Sequence, residues 1–433
     1  MQSRHVHRLP EPQRSGPARV GRARFRPIGW TVLLLFLAPL SGLAAPNGQG
    51  EELAPPQAGD SAAVPIGYLK QELKRPIPLS RLNVEPDDLG VAGALIALKD
   101  NNTTGRFTRQ QFTLEVARVP VGGDAVRALM TLVASGHRFV LVDAPADVLL
   151  RLSDAVKDKE VLLFNISATD VNLRQEDCRA NVLHTAPDRA MLADALAQYL
   201  VWKKWPRWLV AKGVFPEDLA YLDALRRAAK RFGGTIVEER EYQETPGARR
   251  SDTGHQQIQQ QMPVFTQGAP RYDVIVVADE REVFGPYLPY RTWDPRPVAG
   301  TAGLKAMSWH PAHEQWGATQ MQNRFQRFAK RFMLPLDYQA WLAVRAVGEG
   351  ASRAGSGDFA AVNAYLRSDQ FDLAAFKGQK VTFRSWDGQM RQPIIIAGPD
   401  LPVSMSPQEG FLHERAEVDT LGIDKPESEC KFQ

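Results

Sequence analysis

The sequence predicts an α/β protein made of two doubly wound parallel-sheet lobes with a ligand cleft between them. Short apolar runs alternate with helix-periodic stretches over most of the chain. The alternation runs twice, as two units of similar size, and the segment after residue 300 returns as helices followed by a hairpin signal. At 433 residues the chain is long enough to bury two cores.

The first unit opens with an apolar run, Val64–Leu69, read as a strand. Pro86-Asp87-Asp88 then supplies a helix start before Leu89–Lys99. Phe112, Leu114 and Val116 alternate as a strand over Phe112–Val119, and Gly122–Ala134 is amphipathic. Phe139–Val142 is a short apolar run between Gly136 and Pro145, and Val148, Leu149, Leu152 and Val156 then recur at helical spacing. Val161–Phe164 completes a strand–helix–strand unit whose strands must run parallel.

Cys178–His184 reads as a crossing segment, and Asp188 caps a helix over Arg189–Trp202. The second unit follows with strand Trp208–Ala211, helix Pro216–Phe232, strand Thr235–Tyr242, a helix near Gln256–Val264 and strand Val274–Ala278. Gly285–Pro311 is rich in proline and aromatics and reads as a long connection. Helices are expected over Gly317–Arg331, Tyr338–Ala354 and Asp358–Leu366. Val381–Arg384 and Pro393–Ala397 then bracket the turn residues Trp386-Asp387-Gly388 as a hairpin. The expected division is 64–185 with 301–379 for lobe one, and 186–300 with 380–433 for lobe two.

Ahead of the lobes, residues 1–45 have the three parts of a cleaved export signal. Arg19, Arg22, Arg24 and Arg26 precede an apolar stretch, Ile28–Leu40, which is followed by the small residues Ser41–Ala45. That stretch is short for a membrane span. Residues 46–63 are rich in Pro, Gly, Ala and Gln and read as a disordered leader. The formal charge of +4 comes from residues 1–45, which hold seven arginines against Glu11; the remainder is near −2. That balance gives no general attraction to nucleic acid. Export also bears on Cys178 and Cys430, the two cysteines, since an even pair in an oxidising compartment forms a disulfide. Closing so long a loop is worth on the order of 5 kcal/mol at most.

Ligands of open parallel sheets sit beyond the carboxyl ends of the strands. In lobe one those ends carry Asp143-Ala144-Pro145 and Ser167-Ala168-Thr169, with Tyr68 at the end of the first strand; in lobe two Asp279-Glu280 follows Val274–Ala278. Asp143, Asp147, Asp170, Asp279 and Glu280 make this cleft edge acidic. Clustered oxygens would suit a hard cation, an organic cation or a polyol, but no D-x-D-x-D-G loop is present and no metal ligand set is assigned. His310 and His313 straddle Pro311, which spoils a shared helical face for zinc. No G-x-S-x-G elbow, dinucleotide fingerprint or P-loop occurs, so the residues make no case for an enzyme or a resident cofactor.

Four stretches carry a family resemblance: Gly93–Asn102, Leu163–Thr169, Asn181–Ala186 and Asp337–Ala343. In order and spacing they resemble the periplasmic ligand-binding proteins of branched-chain amino-acid ABC importers, a type I periplasmic binding protein fold. Arg291–Pro297 and Trp309–Ala312 are similar to a branch accompanying PQQ-dependent alcohol dehydrogenases. The resemblance implies a periplasmic, monomeric receptor whose lobes close on a small-molecule ligand and which docks on an ABC permease in the inner membrane. It implies as the alternative a metal- or cofactor-binding sensor or chaperone acting with a periplasmic quinoprotein dehydrogenase. The chain departs from the family at Asp143–Asp147, which offers no hydroxyl to a ligand carboxylate, and at Ala302, where members carry a glutamate that pairs with the ligand ammonium. These departures argue against an ordinary α-amino acid as ligand.

Overall fold

The computed structural model describes residues 61–74, 84–244 and 257–433; the expected export signal and most of the expected leader lie outside them. The first strand, β1 (Ala62–Gln71), takes in Ala62 and Ala63 from the end of the expected leader. Helix α1 (Val91–Thr108), β2 (Gln110–Val119), α2 (Ala125–Ala134), β3 (Phe139–Asp143), α3 (Ala146–Ala155), β4 (Leu162–Asn165) and β5 (Val182–His184) follow. The strands form a parallel sheet in the order β2-β1-β3-β4-β5. α2 and α3 cover one face over Leu129, Leu132, Leu149 and Leu152.

The chain then crosses to the second lobe. Helix α4 (Arg189–Trp202), β6 (Arg207–Lys212), α5 (Pro216–Phe232), β7 (Thr235–Glu241), α6 (Ile258–Thr266), β8 (Val274–Ala278) and β9 (Val298–Gly300) build a parallel sheet ordered β7-β6-β8-β9. The proline- and aromatic-rich connection thus contains a strand of this sheet, and also β10 (Lys305–Met307), which belongs to a separate antiparallel sheet. Asp124 and Asp188 cap α2 and α4 through the amides of Arg127 and Met191.

Back in the first lobe lie α7 (Ala318–Ala329), α8 (Pro335–Ala354), α9 (Phe359–Leu366), β11 (Leu373–Ala374), β12 (Lys380–Phe383) and β13 (Met390–Arg391). α1 and α8 close the other face of the first sheet and approach so tightly that a Cβ on Gly93 would lie 1.9 Å from the Asp337 carbonyl. α1 starts at Val91, where the Gly90 amide donates to Asp337 Oδ1 at 2.9 Å. It runs past the expected end at Lys99 because Asn101 is buried and donates to the Val344 carbonyl at 2.8 Å. β14 (Ile394–Ala397) and β15 (Pro402–Ser406) finish the second lobe beside β10.

Two expectations change here. The hairpin around Asp387-Gly388 pairs β12 with β13, not with 393–397, because Ile394–Ala397 has already crossed to pair with β10 and β15. Sequence periodicity placed the returns at 301 and 380; the cores put Val381 and Met390 with the first lobe's apolar cluster and pair Lys305–Met307 within the second lobe.

Three crossings join the lobes at Thr185, Ser308 and Gln392, and buried side chains bind them to one another. Lys377 Nζ donates to the carbonyls of Ser308 (2.9 Å) and Pro393 (2.8 Å) and to Gln392 Oε1 (2.8 Å). Gln392 Nε2 donates to the Thr185 carbonyl (2.8 Å), and Gln339 Nε2 to Ser308 Oγ (2.9 Å). The C-terminal tail straps the same side. Asp419 accepts from Arg384 Nε (2.9 Å) and Arg391 Nε (2.8 Å) of the first lobe, while the Gly422 amide donates to Asp194 of α4 (2.9 Å). Further on, Cys430 is bonded to Cys178, so the two cysteines do form the expected disulfide.

Candidate functional site

The lobes enclose a cleft of about 940 Å3. It lies where the parallel-sheet argument places it, since its wall holds the loops after β3, β4 and β8. Asp143, Ala144, Pro145, Ser167, Ala168 and Thr169 line it from the first lobe and Glu280 from the second.

These loops are ordered by their own hydrogen bonds. Asn165, fully buried at the end of β4, accepts from the amides of Ser167 (3.2 Å) and Ala168 (2.9 Å), and donates to the Ala168 carbonyl (2.8 Å). Ser167 Oγ accepts from the Ala144 amide at 3.1 Å and so ties the two loops together. The Thr169 carbonyl accepts from the Arg189 amide at 2.8 Å, while its hydroxyl has no hydrogen-bond partner among the described residues. Arg174, fully buried beneath, donates to the carbonyls of Ala168 (3.0 Å), Asp170 (3.0 Å) and Ala186 (2.8 Å). One guanidinium thereby couples the ligand loop to the first crossing. Next to it His184 is buried, and desolvation together with the Arg174 charge pushes its pKa well down, so the ring is neutral.

Two expected site residues stand elsewhere. Tyr68 is not among the lining residues; it is 0% exposed within the first lobe's core, because β1 continues three residues further. Burial, reinforced by the Asp143 carboxylate, raises its phenol pKa well above normal. Asp279 is also absent from the wall. Its carboxylate accepts from the amides of Val283 (2.9 Å), Phe284 (2.8 Å) and Gly285 (2.7 Å), so it staples the turn after β8 and is turned away from the cleft. Ala302, where relatives' glutamate was expected, is 3% exposed in the second lobe's core.

The residue that sequence reading passed over is Arg189. It is the first residue of α4, and its side chain crosses the cleft. Nε and Nη2 donate to Glu280 at 2.7 and 2.8 Å, and Nη1 lies 3.1 Å from Asp170 Oδ1 of the first lobe. Burial opposes the charge, but the bonds to Glu280 and the pull of Asp170 hold its pKa above the ordinary arginine value. A signal was present: the Asp188 cap fixes where α4 begins, directly after the crossing, so residue 189 had to face the cleft. Lys70, Gln71, Glu72, Glu85, Asp87, Arg118, Glu217 and Gln339 complete the polar lining named by none of the strand-end arguments. Among the described residues no group of three or more His, Cys, Asp or Glu side chains converges to hold a metal ion, and no helix is long and apolar enough to cross a membrane.

A family model described as "Periplasmic binding protein" matches residues 88–263. Among solved structures, a branched-chain amino acid ABC transporter periplasmic ligand-binding protein from Burkholderia xenovorans LB400 is 15% identical, with a TM-score of 0.65 over 85% of this chain and 99% of that one. The chain has the type I periplasmic-binding-protein fold. The closed conformation of the leucine-, isoleucine-, valine-, threonine- and alanine-binding protein from Brucella ovis is 13% identical, with a TM-score of 0.64 over 86% of this chain and 99% of that one. A solute-binding protein of an ABC transporter from R. palustris, in complex with benzoate, is 10% identical, with a TM-score of 0.60 over 86% of this chain and 100% of that one. No curated protein matches the chain by sequence. The matched family model and these neighbours are all described as binding proteins.

Proposed function

We propose that the protein is the periplasmic solute receptor of an ABC importer. The observation that carries this reading is the cleft itself: loops at the carboxyl ends of both lobes' parallel strands face one another, and side chains from the two lobes already meet there through Arg189. A small solute first engages the loops Asp143–Pro145 and Ser167–Thr169, and closure then brings Glu280 and Arg189 against it. Closure is favoured only to the extent that the solute binds the closed form more tightly than the open one. The closed form docks on an inner-membrane permease as a monomer. A link to PQQ-dependent alcohol oxidation rests on the resemblance at Arg291–Pro297 and Trp309–Ala312, and predicts a solute connected with alcohol metabolism.

The experiment is a thermal-shift screen of the chain from residue 46 with amino acids, short alcohols and their acids, PQQ, calcium and a lanthanide. A native-state ligand at a hundredfold excess over Kd adds about 2.7 kcal/mol of apparent stability. A shift with an organic solute is the expected outcome. Shifts with calcium or lanthanide alone would replace the importer reading with metal handling.

A further inference from the structure

We infer that the end of the second lobe opposite the cleft is a membrane-contact surface that rests on anionic phospholipid headgroups. The inference goes beyond the receptor reading and does not depend on the solute. The four strands of the second sheet run parallel, so the loops preceding them lie together at one end, opposite the strand ends at the cleft. Hydrogen bonds stitch these loops into one surface. The Thr235 amide donates to the Pro206 carbonyl (2.7 Å), the Asp273 amide to the Arg207 carbonyl (2.8 Å) and the Ile275 amide to the Pro297 carbonyl (2.9 Å). The Trp293 amide donates to the buried Thr266 Oγ1 at 2.8 Å. Stretches 202–207, 268–273 and 291–297 carry six cations, Lys203, Lys204, Arg207, Arg271, Arg291 and Arg296, against two acids, Asp273 and Asp294. Arg207 takes Asp273, and the other five cations have no ion pair among the described residues.

Charge alone does not single out a bilayer; the aromatic residues do. Of the three exposed tryptophans among the described residues, Trp202 (48%) and Trp293 (55%) stand in these loops. Lys203 Nζ lies 5.5 Å from the Trp202 ring and 6.0 Å from that of Trp205, so ring and charge share one surface. Tryptophan beside lysine and arginine is the composition that settles at headgroup level, and each cation adds attraction to anionic lipid. Folding does not ask for this composition. Lys204 follows α4 with φ 64°, in a left-handed position that glycine takes at lower cost. The flank toward α5 is balanced: Lys230 stands in its last turn, and the loop packing Phe411 on Phe232 carries Glu409 and Glu414. The corresponding end of the first lobe is balanced too. It alternates sign over Lys157-Asp158-Lys159-Glu160, and Arg179 there pairs with Asp154. A chain whose charge after residue 45 is near −2 is not drawn to an anionic surface as a whole, so this one end orients it. Contact there leaves the cleft open and keeps the receptor beside the membrane.

The test is cosedimentation with lipid vesicles of the chain from residue 46, which lacks the apolar, arginine-rich start of the sequence. The vesicles are phosphatidylcholine alone, or phosphatidylcholine with about one third phosphatidylglycerol. The chain should bind the phosphatidylglycerol vesicles at least roughly tenfold more tightly, and that binding should weaken roughly tenfold from low to physiological salt. Lys203→Glu/Lys204→Glu, at exposed positions, should abolish the preference with an unchanged melting temperature. Trp202→Ala/Trp293→Ala should weaken binding about threefold or more while keeping its salt dependence. The reference variant Lys157→Glu/Lys159→Glu makes the same charge change at exposed positions of the other lobe and should bind as the wild type does. No preference for phosphatidylglycerol, an equal loss in the reference variant, or undiminished binding without the two tryptophans overturns the inference. Binding to soluble heparin with none to vesicles also overturns it, in favour of an acidic macromolecule as the partner. None of these outcomes touches the receptor reading, which solute binding decides.

Discussion

The boundary between the lobes has two sides, built by opposite rules. On the hinge side, side chains that are almost wholly buried spend nearly every donor on backbone carbonyls: Lys377 at 1% exposure, Arg174 at 0%, Arg384 at 2% and Gln392 at 0%. On the cleft side a single guanidinium, Arg189, itself 7% exposed, joins the carboxylates of Glu280 and Asp170, which are 26% and 38% exposed. The contrast is energetic. Breaking a buried, fully satisfied network leaves polar groups without water or partner, which is costly. Parting the lobes breaks only the Arg189–Asp170 contact, whose carboxylate is already 38% exposed, and leaves the guanidinium on Glu280, which costs less. The fold therefore fixes the hinge and leaves the mouth free to answer a ligand.

The largest effect in this comparison is expected at Lys377. Lys377→Ala strands the carbonyls of Ser308 and Pro393 and the Gln392 amide oxygen, and should cost about 3 kcal/mol or more in urea unfolding. A loss below about 1 kcal/mol would mean that water replaces the ammonium and the hinge is not sealed. Next is the strap. Cys178→Ser/Cys430→Ser opens a loop spanning 252 residues and should lower stability by about 2–5 kcal/mol, measured by denaturation with the wild type under non-reducing conditions.

Asp387, in the hairpin turn beside the hinge, sharpens the comparison through pH. Burial, with a lesser push from Asp188, raises its pKa to about 6 against the pull of Arg384 and the Gln389 amide. The folded protein then keeps a proton that the unfolded chain releases near the ordinary aspartate value of 3.8. This group's stabilising contribution is full below that value and is lost as pH rises through about 6. Asp387→Asn, which keeps an acceptor for the Gln389 amide, should remove up to about 3 kcal/mol of pH-dependent difference from wild type between pH 4 and pH 7. Buried neutral His184 contributes in the opposite direction, so the quantity to read is the difference between variant and wild type and not either curve alone. The smallest stability effect belongs to the mouth: Arg189→Ala, which leaves the part-exposed Glu280 and Asp170 to water, should cost about 1–2 kcal/mol in the same urea experiment.

The same division explains what could be read in the sequence. The β3–α3–β4 unit was legible because apolar runs bounded by Gly136 and Pro145 leave no other arrangement, and six of the lining residues follow from it by the strand-end rule. α1 was cut short at Lys99 because a polar run signals a helix end, whereas Asn101 is satisfied by Val344 of a helix distant in sequence. Asp279 looked like a cleft acid by position, yet the turn after β8 claims its carboxylate. The hairpin partner differs because Met390–Arg391 is too short to show a period, while Ile394–Ala397 is a continuous apolar run that reads as a strand but pairs in the other lobe. Local pattern carries the elements; partners brought in from far along the chain decide what their ends do.

The most direct test of the account is a pair of distance measurements between spin labels. The described residues contain no free cysteine, so single cysteines can be introduced in pairs. One pair spans the mouth, at Arg151 on α3 and Val214 before α5; the other spans the hinge side, at Lys380 and Glu409. The account predicts that a solute found in the screens narrows and shortens the mouth distribution, that Arg189→Ala broadens it, and that the hinge pair stays fixed in both. A bound solute that leaves the mouth pair unchanged, or shifts the hinge pair as much as the mouth pair, would contradict a receptor that closes about a sealed hinge.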